Sequence, residues 1–292
     1  MKKYSFILPI ALFTFSLPGC KSLDLDTIVK AGAAVAQGIS TFAESKKAAD
    51  SLTPENEYYL GRAVAANITS TYKIYRNAAL QTYLNKICKA IVINSPRPDI
   101  YKGYYVAILD TAEINAFATP GGHIFVTRGL IACAQNEDAL AAVIAHEVAH
   151  IQLQHALTSI RNARYVNAAV SGTLAGLGKA VGGNVGELAN IMSESVNEIV
   201  TTMMAKGFSK KQELEADAKA LSLLADAGYQ PSGILEMLEA LKQKQGDNKN
   251  AGFGKTHPTP ADRISAVNKN LKKYKVEDTR SYRARRFRAA VG

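Results

Sequence analysis

The sequence predicts a predominantly helical α+β fold, with one small sheet placed before a buried helix. Three observations carry that reading. Apolar residues recur at helical spacing in several stretches, most clearly over Glu137 to Ile151, where Ala139, Leu140, Val143, Ile144, Val148 and Ile151 fall on helical positions. Strand-like patterning is confined to Tyr104–Thr127, just upstream of that stretch. The chain has 292 residues and is 47% hydrophobic, which supports one sizeable core with appendages.

The first residues read as an export signal. Lys2 and Lys3 form a basic start, and Phe6 to Leu17 is an apolar run too short to span a membrane. The run ends in Leu17-Pro18-Gly19-Cys20, which resembles the acylation site of bacterial lipoproteins, with Pro18 unusual at its position. An ordinary secretory signal with a nearby cysteine is the alternative. Acyl chains on Cys20 would anchor the chain, at about 0.8 kcal/mol per buried methylene. Lys21 after the cysteine, by resemblance to enteric lipoproteins, implies sorting to the outer membrane. Loss of Lys2 and Lys3 lowers the formal charge from +10 to +8. The remaining basic balance suits anionic lipid or acidic partners. Nothing resembles a nucleic-acid-binding module, so no nucleic acid is expected as a partner.

Residues 1–19 are thus a signal peptide, 20–52 a lipidated tether, 53–275 the main domain and 276–292 a basic tail. In the tether, Val29, Ala33, Ala36, Ile39 and Phe42 outline a weak amphipathic helix. Thr53-Pro54-Glu55 is a helix start, with Thr53 as N-cap and Pro54 at the first helical position. That helix is expected to reach about Thr71, and a second to occupy Asn77 to Ile93. Tyr104 to Leu109 is strand-like. Ile114 to Ala118, a Thr119-Pro120-Gly121-Gly122 turn and His123 to Thr127 form a hairpin. Its edge could take an extended peptide by strand addition, or serve only packing.

The stretch Glu137 to Ile151 opens on Asn136 as N-cap, with Glu137 and Asp138 at the positive end of the helix dipole. It contains His146-Glu147-x-x-His150. Positions i and i+4 share a helix face, so the two imidazoles converge on one point, as Zn²⁺ ligands must. Glu147 lies beside that face, where it can take a proton from a metal-held water. Apolar neighbours argue against two solvated surface histidines, because burial without partners is costly. A third ligand and an open position are then required.

The third ligand comes from Ser209 to about Ala227, a helix with Ser209 as N-cap and Gly228 as terminator. Glu213 and Asp217 lie one turn apart on one face. Glu213 is assigned as the third zinc ligand, and Asp217 as the acceptor that orients a ligating histidine through its other ring N–H. Glu215 points elsewhere and is read as a solvated charge. Without the upstream motif, the same acidic residues would be an ordinary helix start.

Between these motifs, Arg164 to Gly207 is rich in Gly, Ala and Ser. It is either a mobile cover over the cleft or a tight helical hairpin. Cys88 and Cys133 either pair as a disulfide in an oxidising compartment or stay as two buried thiols. Gly246 to Thr259 is a polar loop carrying His257-Pro258. Ala261 to Tyr274 is a helix with Ile264, Val267 and Leu271 inward. The tail, with Arg280, Arg283, Arg285, Arg286 and Arg288, reads as a solvated end that could also touch acidic lipid.

These motifs together resemble the zinc metallopeptidases related to the CAAX prenyl endopeptidases and to the bacterial membrane heat-shock protease. Within that group the chain is most similar to the periplasmic and lipoprotein members. The likeness runs from about Thr53 to Leu271. It includes Tyr58-Tyr59-Leu60-Gly61, Ile114 to Ala118, the Pro120-Gly121-Gly122 turn, Val126 to Leu130, both metal motifs, and His257-Pro258 followed by Arg263. The metzincin pattern is excluded, because Leu153 and Ala156 stand where it needs glycine and histidine. His155 is therefore expected at the surface.

The resemblance implies a zincin-like fold and one Zn²⁺ per chain, with His146, His150 and Glu213 as ligands and Glu147 as base. It also places His257 near the site, as an oxyanion donor or as a fourth ligand that blocks the metal, with a plain surface histidine as the third option. The implied function is a lipid-anchored endopeptidase facing the periplasm that cuts polypeptides, misassembled outer-membrane proteins among them. A zinc-bound chaperone or assembly factor, and a weakly active lipoprotein scaffold, are the competing functions.

Overall fold

Local signals set the helix starts. In the computed structural model, which describes residues 53–159, 185–245, 256–257 and 259–291, the side chains of Thr53, Asn77, Asn136 and Ser209 each accept a hydrogen bond from the backbone N–H three residues on. Each satisfies one of the donors that a helix start leaves open. At Ser209 the bond is reciprocal, with Gln212 reaching back to the cap backbone.

The helices so begun are α1 (Pro54–Thr71), α2 (Ala78–Ile93), α4 (Glu137–Gln152) and α6 (Lys210–Asp226). A short α3 (Arg128–Ile131) precedes α4. The others are α5 (Val185–Thr201), α7 (Gly233–Gln245), α8 (Pro260–Leu271) and α9 (Arg280–Val291). A π-helical turn, Thr202–Lys206, follows α5. The signal segment, Cys20, the tether, residues 164–184 of the Gly/Ala-rich stretch and most of the 246–259 loop lie outside the described residues. Among the described residues, no helix is long and apolar enough to cross a membrane.

The sheet has three strands, β1 (Tyr105–Leu109), β2 (Ala116–Ala118) and β3 (His123–Thr127), in the order β1-β3-β2. β2 and β3 form the expected hairpin, with Phe117 opposite Phe125, and β1 joins β3 in parallel. The turn between them needs glycine. Gly121 has φ 68°, and a Cβ there would lie 2.4 Å from the Tyr58 Cα. The outer edge of β1 is closed. Val106 N–H donates to Asn85 Oδ1 at 2.9 Å, and its carbonyl accepts from Asn85 Nδ2 at 2.9 Å and from Gln81. Tyr75 N–H donates to the Ile108 carbonyl at 2.8 Å, and Asp110 N–H to the Lys73 carbonyl at 2.8 Å.

Strand alternation divides the core in two. Val106, Ile108, Ala116, Ala118, Ile124 and Val126 face the larger cluster, which α2, α4, α6 and α7 complete. Leu109, Phe117 and Phe125 face the smaller one, built with α1, α5 and the π-helical turn. Cys88 and Cys133 both sit in the larger cluster as free thiols. The Cys133 thiol donates to the Gly129 carbonyl at 3.3 Å. The pairing left open by the sequence is therefore not made here, because each sulfur fills its own place in the apolar packing.

α4 is the centre of the larger cluster, buried from Glu137 through Ile151. Its acidic start is therefore out of water, and the basic tail answers it. Arg283 binds Asp138 in bidentate fashion, at 3.1 and 2.8 Å. Arg286 binds Glu137, with one contact at 2.6 Å, beside the phenols of Tyr83 (2.8 Å) and Tyr229 (3.0 Å). The expectation of a solvated arginine run is corrected for Arg283, which is buried with Phe287 on the tail helix; Arg286 reaches Glu137 with its side chain still 56% exposed. Two carboxylates placed at a buried helix start required cations from elsewhere in the chain. Nothing in the spacing of the tail arginines marks which of them turn inward.

Arg283→Ala leaves Asp138 buried with its cation gone. It is expected to lower unfolding free energy by about 3 kcal/mol, measured by urea denaturation, while Arg288→Ala on the exposed side changes it little. Equal effects of the two variants would contradict the clamp.

Candidate active site

Two helices bring the polar cluster together inside the apolar core. α4 carries His146 and His150 one turn apart, and α6 packs across it with Glu213 and Asp217 one turn apart. All four are at most 4% exposed. The segment at 256–257 brings a fifth, His257. It packs on Gly207, where a Cβ would come within 2.4 Å of the Thr256 carbonyl, and the Thr256 hydroxyl donates to Asn115 Oδ1 at 3.2 Å. His146, His150, Glu213 and His257 each offer one donor atom, all within 4.8 Å of one another.

The spacing fits a metal. The Nε2 atoms of His146 and His150 are 3.1 Å apart. They lie 3.4 and 3.6 Å from the two oxygens of Glu213. A tetrahedral zinc ion with bonds of about 2.0–2.1 Å separates its donors by roughly 3.3 Å. Two imidazoles, one carboxylate and a third imidazole are the donor types that zinc prefers. His257 Nδ1 lies 2.8 and 2.9 Å from the Glu213 oxygens.

The ring nitrogens facing away from the cluster are held as well. His146 Nδ1 lies 3.0 Å from Asp217 Oδ1. Asp217 is gripped by Arg263 of α8 at 2.8 and 2.6 Å. Arg263 is only 3% exposed, and Arg263 Nη2 also lies 3.2 Å from His146 Nδ1. The sequence singled out Arg263 without a role. An arginine this buried is the cation that a buried aspartate beside a metal site requires. His150 is held differently. Its Nδ1 lies 2.9 Å from His155 Nδ1, and Phe208 stacks on its ring at 4.4 Å and 22°. The expectation that His155 is a surface residue is corrected: it is 3% exposed, because the chain after α4 turns back toward α6 instead of running into solvent. Glu215 is half-exposed as expected, yet its Oε2 reaches His155 Nε2 at 3.5 Å.

Charge within the cluster follows from burial and neighbours. Burial works against the Glu213 carboxylate, but His257, His146 and His150 together hold it well below the usual range. Asp217 is likewise opposed by burial and drawn down to about 2 by Arg263 and His146. Burial and Arg263 oppose a proton on His146, yet Asp217 and Glu213 outweigh them and push it up to about 9. A metal must therefore displace a proton from His146. Burial drives His150 well down, toward the neutral imidazole a metal needs.

Glu147 differs from all of these. Burial raises its carboxyl, with His146 and His257 acting in the opposite direction. Its Oε1 has no hydrogen-bond partner among the described residues. It lines a small cavity together with His146, Asp217 and Arg263 on one side and Val143 of α4 and Ile234, Met237 and Leu238 of α7 on the other. α7 is a helix for which the sequence analysis gives no expectation.

Comparison with known proteins agrees with this geometry. The mitochondrial metalloendopeptidase OMA1 of Schizosaccharomyces pombe is 29% identical over 196 residues, 67% of this chain and 54% of its own length. The metalloprotease LoiP of Escherichia coli is 28% identical over 252 residues, 86% of this chain and 90% of its own. The β-barrel assembly-enhancing protease of Escherichia coli is 23% identical over 241 residues, 82% and 49% respectively. The chain thus spans only about half the length of the first and third of these relatives. The profile of peptidase family M48 matches residues 75–271, which hold α4, α6 and α8. With that match over most of its length and a zinc-type donor set at its centre, the chain belongs to peptidase family M48.

Proposed function

We propose that this chain is a zinc-dependent endopeptidase of the bacterial cell envelope, with His146, His150 and Glu213 as zinc ligands and Glu147 as general base. The observation that carries the reading is the buried Glu147 Oε1. It is an acceptor with no partner among the described residues, next to a donor set spaced for one metal ion. Zinc, when bound, polarises the scissile carbonyl and acidifies a water molecule. Glu147 Oε1 receives that water's proton and afterwards delivers it to the nitrogen of the leaving amine. Asp217 keeps the His146 ring in orientation, and Arg263 keeps Asp217 ionised.

The envelope setting rests on the export signal and on the named bacterial relatives. Misassembled outer-membrane proteins are the proposed substrates, because the β-barrel assembly-enhancing proteases carry that process in their names. Cys20 is the proposed lipidation site, holding the chain on the outer membrane and facing the periplasm. The chain would then divide into signal (1–19), tether (20–52), peptidase domain (53–275) and basic C-terminal segment (276–292).

Of the two site roles open to His257, the fourth-ligand role has the better support. His257 is one of the four residues of the donor set and its Nδ1 contacts Glu213, whereas an oxyanion donor would point at the substrate carbonyl across from Glu147. A segment that supplies this ligand closes the coordination position a substrate needs.

Glu147→Gln is expected to keep stoichiometric zinc and lower kcat on casein or a peptide by about 10²–10⁴-fold. Glu213→Ala is expected to lose zinc by metal analysis, with Glu215→Ala retaining it. Near-wild-type turnover of a zinc-loaded Glu147→Gln protein would sink the assignment.

His257→Ala is expected to raise peptide hydrolysis or cause self-cleavage, with zinc retained. A fall in kcat of about 10²–10³-fold would return the oxyanion role instead.

Cys20→Ala is expected to move the protein from the membrane to the soluble fraction on cell fractionation. Retention without acylation would contradict the anchor.

A further inference from the structure

His155 has no part in the roles above, yet its ring is buried against a zinc ligand. Its Nδ1 lies 2.9 Å from Nδ1 of His150, and two ring nitrogens at that distance share one proton. Which ring carries it follows from the other side of His150. Nε2 of His150 faces the donor cluster, 3.1 Å from His146 Nε2 and 3.6 Å from Glu213 Oε1. A neutral imidazole that ligates through Nε2 carries its proton on Nδ1. His150 is then the donor and His155 Nδ1 the acceptor. The proton of His155 must sit on Nε2, and that atom faces Glu215 Oε2 at 3.5 Å. Every N–H in the chain His150, His155, Glu215 has an acceptor in this order, and in the reverse order the ligand atom would be the protonated one.

We propose that His155 is a positioning residue for the zinc ligand His150, fixing its tautomer and ring rotation, with Glu215 as the outer acceptor. The surroundings leave His155 that task. Phe208 stacks on the face of His150 at 4.4 Å, so it holds the plane of the ring and not its protons. Gln212 Nε2 donates to the His155 carbonyl at 3.2 Å, which ties the turn after α4 to the start of α6. The two ligating histidines are therefore oriented by different chemistry. His146 faces a buried carboxylate at 3.0 Å. His150 faces a second imidazole, with a carboxylate only at the solvent edge. A metal ligand's outer partner raises its basicity and sets its direction, and losing such a partner costs about 10–100-fold in metal affinity.

The inference rests on the zinc-peptidase reading, and one experiment separates the two. The zinc dissociation constant of the full chain is measured by competition with a chromophoric chelator. The proteins are wild type, His155→Leu, His155→Asn, Glu215→Gln and His146→Ala, with thermal melts of each metal-free form. His155→Leu fills the space without an acceptor and is expected to weaken zinc about 10–100-fold. His155→Asn sets Oδ1 where Nδ1 stood and is expected to recover most of that loss. Glu215→Gln is expected to lose less than His155→Leu. If His155→Leu fails to fold, His155→Ala against His155→Asn gives the same comparison. Zinc binding by His155→Asn as weak as by His155→Leu, or wild-type affinity in His155→Leu while His146→Ala loses zinc, overturns the inference and leaves the zinc site standing. Undiminished zinc binding in His146→Ala overturns the zinc site, and the inference with it.

Discussion

A helix buried on all sides cannot leave its charges to solvent, and α4 carries four acidic or imidazole side chains within its buried length in addition to the second histidine of the motif. Each must be answered by another part of the chain, or the desolvation cost stands unopposed. That requirement explains the arrangement of the other helices. α9 supplies guanidinium groups to Glu137 and Asp138. α6 supplies carboxylates to the imidazoles, α8 an arginine to one of those carboxylates, and the turn after α4 a histidine. Glu147 Oε1 is the exception among these groups, an acceptor left without a hydrogen-bond partner among the described residues.

The site is thus nested. His146 and His150 contact Asp217 and His155, and those residues contact further charges that reach toward the surface. On the His146 side the sequence ends in a fully buried Asp217–Arg263 pair. On the His150 side it ends at Glu215, whose side chain is 47% exposed. A buried ion pair is rigid but intolerant of losing either member. An exposed carboxylate is screened and exchanges partners easily, Lys211 lying 3.9 Å from it. His146 therefore has a stiff support and His150 a softer one.

Much of this was legible in the sequence because it is written locally. Caps, helix periods and the hairpin turn depend on residues within a few positions of each other, and the starts at Thr53, Asn77, Asn136 and Ser209 lie where their side chains predict. The His-Glu-x-x-His pattern is legible for the same reason, since one helix fixes its geometry. His155 was misread because its burial depends on the turn after α4 folding against Gln212 of α6, a contact 57 residues away in the chain. Arg283 is buried against the expectation of a solvated tail because its partner lies 145 residues upstream. A run of arginines looks the same whether it meets water or two buried carboxylates. α7 offered apolar residues at helical spacing, but no signal that its face would line the cavity beside Glu147.

The closed edge of β1 has a consequence for how this chain behaves among other polypeptides. Asn85 and Gln81 occupy both backbone groups of Val106, and Tyr75 and Lys73 take up the next positions along the strand. A strand edge without open donors and acceptors cannot template the stacking that leads to aggregates. These contacts cover the β1 side, which leaves the three-residue β2 as the sheet's short remaining border.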